Sequence, residues 1–430
     1  MYAAIKVIDV ELSKPVTKVD GLREYGYLQV LVRLHGTPLG YVTVPLNQGC
    51  CEAETLLNAI TQRHSHAILR HLLSDGLALT GMDQLDLPKL LDTSHPAYTG
   101  PLPAVTVVVC SRDRANDLAR CLESLNRLDY PSLDILVVDN APTTDATERL
   151  VRDNYPDVRY VCESRPGLDW ARNRGIAEAR GDIIAFTDDD VVVDAGWVRA
   201  LAVVFAENPE VMALTGLVVP FELETESQFL FELYGGFGRG FARKWYKSPS
   251  TGNQSVAAEH GGAGKFGTGA NMAYRRSLFD KIGAFDPALD VGTVTNGGGD
   301  IEMFFRVLKE GYTLVYEPCA IVRHRHRRDY AQLRTQISNN GIGFYSYLVR
   351  SALAYPDERV AIIKFGLWWL WIWNVRRLMK SLMGWYDFPR DLILAELRGS
   401  FRGLGRYRQS SRAARLAHPP NVAREARTSD

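Results

Sequence analysis

The sequence predicts an α/β protein: a mostly parallel sheet flanked by helices, preceded by a small α+β module and followed by a helical, basic C-terminal region. Three observations carry this. Between Val105 and Phe186, short apolar runs alternate with amphipathic stretches in a βαβαβαβ order, which builds an open parallel sheet with helices on both faces. Residues 1–46 instead alternate apolar and polar in the manner of strands. The stretch 92–103, DTSHPAYTGPLP, holds three prolines and a glycine and reads as a linker between the two patterns. The expected domains are 1–91, 104–330 and 331–430.

In the first module, Ile5–Val10, Tyr27–Arg33 and Tyr41–Pro45 read as strands, with His35-Gly36-Thr37-Pro38 as a hairpin loop. Glu52–Leu73 reads as a helix, with Leu56, Leu57, Ile60, Ile68 and Leu72 roughly on one face. In the second, strands are expected at Val105–Val109, Leu133–Val138, Val158–Val161 and Ile183–Phe186. Helices are expected at Ala115–Arg127, Thr144–Asp153 and Leu168–Ala179. Ligands of such sheets sit outside the carboxyl ends of the strands, so the residues directly after each strand carry the functional reading.

Composition narrows the classes. With 430 residues, 46% hydrophobic and 23% charged, the chain is an ordinary globular one of two or three domains. Formal net charge is +0, but about 20 Lys and Arg face about 8 Asp and Glu from Arg323 onward. That excess favours an anionic partner, a membrane surface or a phosphate. Nucleic acid has no supporting motif. No pair of the six cysteines forms C-x-x-C, so they read as free thiols in a reducing compartment. The N-terminus has no apolar signal core; the expected location is the cytoplasm, at the inner face of the membrane if the tryptophan-rich stretch Phe365–Trp373 lies on lipid. That stretch is too short to span a bilayer. It fits an interfacial helix, giving a peripheral membrane contact through 365–385, or a helix docked on the main domain.

Three polar clusters converge on the ligand-binding edge. Ser111–Arg114 follows the first strand, Asp139-Asn140 the second, and Asp188-Asp189-Asp190 the fourth. Arg114 suits a phosphate and Asp139 a base or ribose, although Asp139-Asn140 alone also fits an Asx-capped turn. In the triplet, carboxylates one residue apart on extended chain point the same way, a pattern that holds a hard divalent cation. The triplet lies between the apolar runs Ile183–Phe186 and Val191–Val193, where a merely solvated acidic run is not expected. Farther on, Gly297-Gly298-Gly299-Asp300-Ile301-Glu302 opens a helix, so Asp300 fits a general base or an N-cap. Glu302 suits the first turn on dipole grounds alone. In Arg323–Arg328, His324 and His326 face one way on extended chain, so an imidazole there can complete a metal shell and the arginines can meet a diphosphate. Gly267–Met272, with Asn271, reads as a close-approach loop beside a bound sugar. Gly235–Gly240 reads as a lid or acceptor wall. Gly262–Gly267 matches G-x-G-x-x-G but follows no strong strand, so it is no dinucleotide site.

From about Val105 to Arg328 these stretches resemble glycosyltransferase family 2, whose fold is GT-A. The resemblance lies in VTVVVCSRDR, ILVVDNAPTTDAT, PGLDWARNRGIAEARGDIIAFTDDD, FGTGANMAYRR, GGGDIEMFFRVLKEGY and YEPCAIVRHRHR, in family order. It covers about half the chain. It implies inverting transfer from a nucleoside diphosphate sugar, UDP-sugar by default, to a saccharide, lipid-linked or small-molecule acceptor, with Mg2+ or Mn2+. By position, Ser111, Arg114, Asp139 and Asn173 would shape the nucleoside pocket. Asp188, Asp189 and Asp190 would meet the ribose, diphosphate and cation, His324 would be a further metal ligand, and Asp300 the base. The family often has Glu before that Asp; here Gly299 stands there, which leaves the Glu's acceptor contacts unassigned. Competing expectations are a nucleotidyltransferase, which needs neither Asp300 nor His324 in these places, and a non-catalytic scaffold acting through residues 1–90.

Overall fold

The computed structural model describes residues 2–80, 98–248 and 255–417; the first part of the expected linker, 92–97, and the end of the first module, 81–91, lie outside them. Strand β1 (Ile5–Glu11) pairs in parallel with β2 (Tyr27–Leu34), and β2 pairs antiparallel with β3 (Thr37–Pro45). The hairpin turn is tighter than expected. His35 and Gly36 alone form it, both at positive φ, as a two-residue turn requires to match strand twist. Helix α1 (Ala53–Thr80) is longer than the periodicity indicated. It packs Leu56 and Ile60 against Val30, Val32, Val42 and Val44.

The nine-stranded main sheet has the order β10-β12-β9-β11-β7-β4-β5-β6, with β8 paired to β12. Its first half follows the sequence closely: β4 (Val105–Ser111), α2 (Ala115–Leu125), β5 (Leu133–Asn140), α3 (Ala146–Asn154), β6 (Arg159–Glu163), α4 (Leu168–Glu178) and β7 (Ile183–Asp188). The β4–β5, β5–β6 and β4–β7 pairings are parallel. Alternate residues of β4 feed two cores: Val105, Val107 and Val109 face one, Val108 the other, so both faces of the strand are buried, with Thr106 bonded to Asp134 as a polar exception. The second half mixes directions. Strand β11 (Asn271–Arg275) runs antiparallel between β7 and β9 (Val211–Pro220). The long β12 (Thr313–His324) pairs in parallel with β9 and antiparallel with β8 (Val191–Val193) and β10 (Lys244–Tyr246).

The N-terminal module braces this second half. Arg33 reaches Asp194, just past β8, at 2.6 Å, and Arg323 of β12 reaches Asp9 at 2.5 Å. Leu31 packs with Leu217, Val219, Tyr316 and Ile321. After β12 come helices α10 (Tyr330–Ala354), α11 (Arg359–Trp369), a π-helical turn (Leu370–Val375), α12 (Arg376–Leu382) and α13 (Arg390–Ala417), where α5 to α9 are Trp197–Glu207, Glu226–Tyr234, Val256–His260, Arg276–Ile282 and Gly299–Lys309. Helices α10 and α13 pack against each other. Among the described residues, no helix is long and apolar enough to cross a membrane. All six cysteines are free.

Candidate active site

The acidic triplet begins as strand and ends as turn. Asp188 is the last residue of β7, while Asp189 and Asp190 turn the chain into β8. The alternation of extended chain therefore stops at Asp188, yet the turn still sets Asp188 and Asp190 side by side. Their oxygens and a ring nitrogen of His324, the last residue of β12, all lie within 4.8 Å of one another. Asp189 turns inward: its carboxylate accepts from Ser111 Oγ at 2.8 Å and from Arg114 Nη1 at 2.6 Å. Arg114 also holds Asp190 at 3.1 Å and Asp117 at 2.9 Å. Ser111 and Arg114 thus orient the acidic turn.

Burial sets the charges. It is the largest effect on Asp188, which is pushed up to about 6 with repulsion from Asp190 adding, and on Asp189, pushed up to about 7. Burial also opposes ionisation of Asp190, but His324, Arg114 and Arg327 together outweigh it and hold this carboxyl below its usual range. His324 is buried and pushed down to about 4, so its ring is neutral near pH 7, the form that ligates a metal. Its Nδ1 lies 3.2 Å from His326 Nδ1, and His326 Nε2 lies 2.8 Å from Glu232; His326 orients His324 from behind. Asp190 Oδ1 is buried without a hydrogen bond, and two carboxylates with one neutral imidazole are a donor set that fits a divalent cation. Of the arginines between 323 and 328, Arg323 is spent on Asp9 and Arg328 on Glu222 and Glu224. Arg327 stands 4.0 Å from Asp190.

At the end of β5, Asp139 is fully buried; Tyr160 donates to its Oδ2 at 3.0 Å, while Oδ1 has no partner. Burial pushes this carboxyl up against the hydrogen bond from Tyr160. Asn140 is a structural tie, accepting from Gly167 N–H and donating to the Arg165 carbonyl. Asn173 spends both ends of its amide on the backbone of Phe285, at 2.9 Å each. Asn271 accepts from Trp197 Nε1 and donates to the carbonyls of Leu217 and Ala320, locking β11 to its neighbours.

Asp300 lies in the first turn of α9 but is not its cap; that position is Gly298, at φ 107°. The Asp300 carboxylate accepts Gly269 N–H at 2.8 Å and Ile301 N–H at 2.9 Å. The glycines before it are forced by close approach: a Cβ at 298 would stand 2.7 Å from the Gly343 carbonyl, and one at 299 would collide with the Asp169 carboxylate. So the side chain expected before the base has no room, because α4 delivers a carboxylate there. Asp169 pairs with Arg172 at 2.9 Å, and its own carboxyl is pushed well up, first by burial and then by Asp290. Arg172 is buried and held charged against that burial by Asp169, Asp188 and Asp300 in turn. It is the cation common to the acidic turn and Asp300. The sequence reading passed over it for its neighbour Asn173; the signal was an Arg three residues after Asp169 on one helix face. Glu302, read as a dipole-favoured residue, is fully buried and bonded to Arg306 and, at 2.5 Å, to Arg350.

In front of Asp300 opens a cleft of 1080 Å³. The loop Gly235–Gly240 and the turn at Gly262–Gly264 form part of its wall, with the aromatic face of α10, α11 and the π-helical turn opposite.

Residues 106–283 match the family described as Glycosyl transferase family 2. The chain carries a glycosyltransferase family 2 domain. It is similar to the glucosyl-dolichyl phosphate glucuronosyltransferase of Haloferax volcanii, 26% identical over 192 residues, 42% of this chain and 56% of that protein. It is also similar to the pre-mycofactocin glycosyltransferase of Mycobacterium tuberculosis, 26% identical over 305 residues, 69% of this chain and 59% of that one. The chain spans about half the length of the curated relatives it matches. A mannosyltransferase from Pyrobaculum calidifontis, solved with GDP-Man and Mn2+, aligns over 81% of this chain and 97% of its own, with TM-score 0.47 and 16% identity.

Proposed function

We propose that the chain transfers a sugar from a nucleoside diphosphate sugar, UDP-sugar by default, to an acceptor hydroxyl with inversion, using Asp300 as general base. One observation carries the reading: Asp188, which stands in one cluster with Asp190 and His324, and the Asp300 carboxylate both act on Arg172, and Asp300 faces a cleft wide enough for an acceptor. The family match and the names of the relatives support the same class.

Asp139 Oδ1 would take a donor hydrogen from the base or ribose. Asp188, Asp190 and His324 would hold Mg2+ or Mn2+, which supplies neutralisation of the diphosphate charge. Asp300, anchored by two backbone N–H groups, would take the acceptor proton as the acceptor oxygen bonds the anomeric carbon. The anomeric C–O bond to the diphosphate breaks as the new bond forms on the opposite face, and the nucleoside diphosphate leaves with the electron pair. Ser111, Arg114, Asp189, Asn173 and Asn271 act through positioning. The same proposal includes action at a membrane surface, through 365–385, on the cytoplasmic side; free cysteines and the basic C-terminal region support it.

A donor labelled in both the sugar and the β-phosphate tests this. The sugar label should move to the acceptor while the β-phosphate leaves within nucleoside diphosphate. If the β-phosphate instead leaves still joined to the sugar, as sugar 1-phosphate carrying both labels, the reaction is nucleotidyl transfer.

A further inference from the structure

The segment 359–386 has two apolar faces. One closes the cleft before Asp300: Phe344 of α10, with Phe365 and Trp369 of α11, lies with ring centroids 5.4 to 6.2 Å apart, and Trp373 stacks on Trp369 at 5.1 Å and 19°. The polar edge of Trp373 is tied away, its Nε1 donating to Glu396 at 2.9 Å. The wall therefore offers rings.

The other face is turned to solvent. Val360, Ile363, Leu367 and Trp371 recur every three or four residues, which is one side of a helix. Leu367 is 64% exposed and Trp371 53%, and Trp385 beyond them is 74% exposed. A soluble helix normally turns such a stripe inward; an exposed one marks a surface meant to be covered. From Arg359 to Tyr386 there is no Asp or Glu, while Arg359, Lys364 and Arg376 are exposed. Tryptophan with cations and no anions is the chemistry of an anionic bilayer interface. The two faces meet, since Val360 and Trp368 both line the cleft and stand exposed at its lip.

We propose that 359–386 lies on an anionic bilayer and that the cleft takes an amphiphilic acceptor from it, a hydroxyl-bearing head group at Asp300 with its hydrocarbon tail along Phe344, Phe365, Trp369 and Trp373. This rests on the transferase reading above. Metal-dependent release of nucleoside diphosphate from the donor, with water as acceptor, is therefore measured first. Its absence with every donor overturns that reading and this one together.

With release in hand, maltose and dodecyl maltoside, below its micelle concentration, are titrated into the reaction. The tailed compound should change the release rate at a concentration at least ~10-fold lower than the free sugar. Equal potency, or no response to either, overturns the amphiphilic acceptor and leaves the transferase reading standing. In parallel, the full chain is sedimented with vesicles of phosphatidylcholine and phosphatidylglycerol. Binding is expected and should fall at least ~10-fold in Leu367→Ser/Trp371→Ser at unchanged melting temperature. Should that pair unfold, Trp385→Ser gives the same reading. Absence of vesicle binding, or binding that these substitutions leave intact, overturns the bilayer contact, and covering of the stripe by a protein partner becomes its explanation.

Discussion

Replacing Asp300 by Asn changes the charge and keeps the shape. In the native site both carboxylate oxygens accept backbone N–H groups, from Gly269 and Ile301. An amide has one acceptor oxygen, so one of these donors would face an NH2 group. Leaving that donor unsatisfied costs about 1–3 kcal/mol, a modest fall in thermal stability. The catalytic loss is larger. Without a base the acceptor proton has no destination, and general-base catalysis contributes ~10²–10⁴-fold, or about 3–5 kcal/mol of barrier. Donor binding should persist, because the proposed donor and metal contacts lie at Asp139, Asp188 and Asp190. The assay is nucleoside diphosphate release under saturating donor, with calorimetry for donor affinity. A rate within about threefold of the native protein, far short of the ~10²-fold loss that is the least expected without a general base, would remove Asp300 from the base role.

Gly299→Ala should lower the melting temperature, since the new Cβ meets the Asp169 carboxylate, and overpacking costs about 1–3 kcal/mol; an unchanged melting curve would contradict the close packing. Glu302→Ala should be among the most damaging substitutions, about 3–5 kcal/mol, because it strands buried Arg306 beside Arg350, and denaturant unfolding reads this directly. Glu396 is buried and pushed up to about 7. The folded protein therefore keeps a proton that the unfolded chain loses near its ordinary pKa. The stability this gives is full below the ordinary glutamate range and is lost as pH rises through about 7. Glu396→Gln should flatten that part of the melting-temperature profile between pH 4.5 and 8. His324→Ala should abolish any rise in melting temperature caused by Mn2+ at pH 7.5, where the native ring, pushed down to about 4, is neutral.

The parallel half of the sheet was legible because its signals are local. Runs such as Val105–Val109 are apolar on both faces, and turn residues separate them from helical stretches. The polar residues at the strand ends followed from the same logic. The antiparallel half was not legible: the insertion of β11 between β7 and β9 depends on pairings across long stretches of chain. The same holds for the brace from Arg33 to Asp194 and Arg323 to Asp9, where each residue alone looks like solvated charge. Arg172 was missed for that reason as well: its spacing from Asp169 on one helix face shows a pair, but its burial beside Asp188 and Asp300 comes only from the fold. Gly299 was legible as a departure from the family pattern but not as a consequence of Asp169. The tryptophan segment left two readings open, docked helix or lipid contact, because a helix can do both on opposite faces and composition does not separate them.

Metal dependence of donor cleavage tests the central claim most directly. Purified protein is stripped with chelator, and nucleoside diphosphate release from a panel of nucleotide sugars is followed as Mn2+ or Mg2+ is restored, in the native chain and in Asp188→Asn/Asp190→Asn. The account predicts release from at least one donor that is lost on chelation, returns with the cation, and stays absent in the double variant. Release that survives chelation, or that the double variant retains, would contradict it.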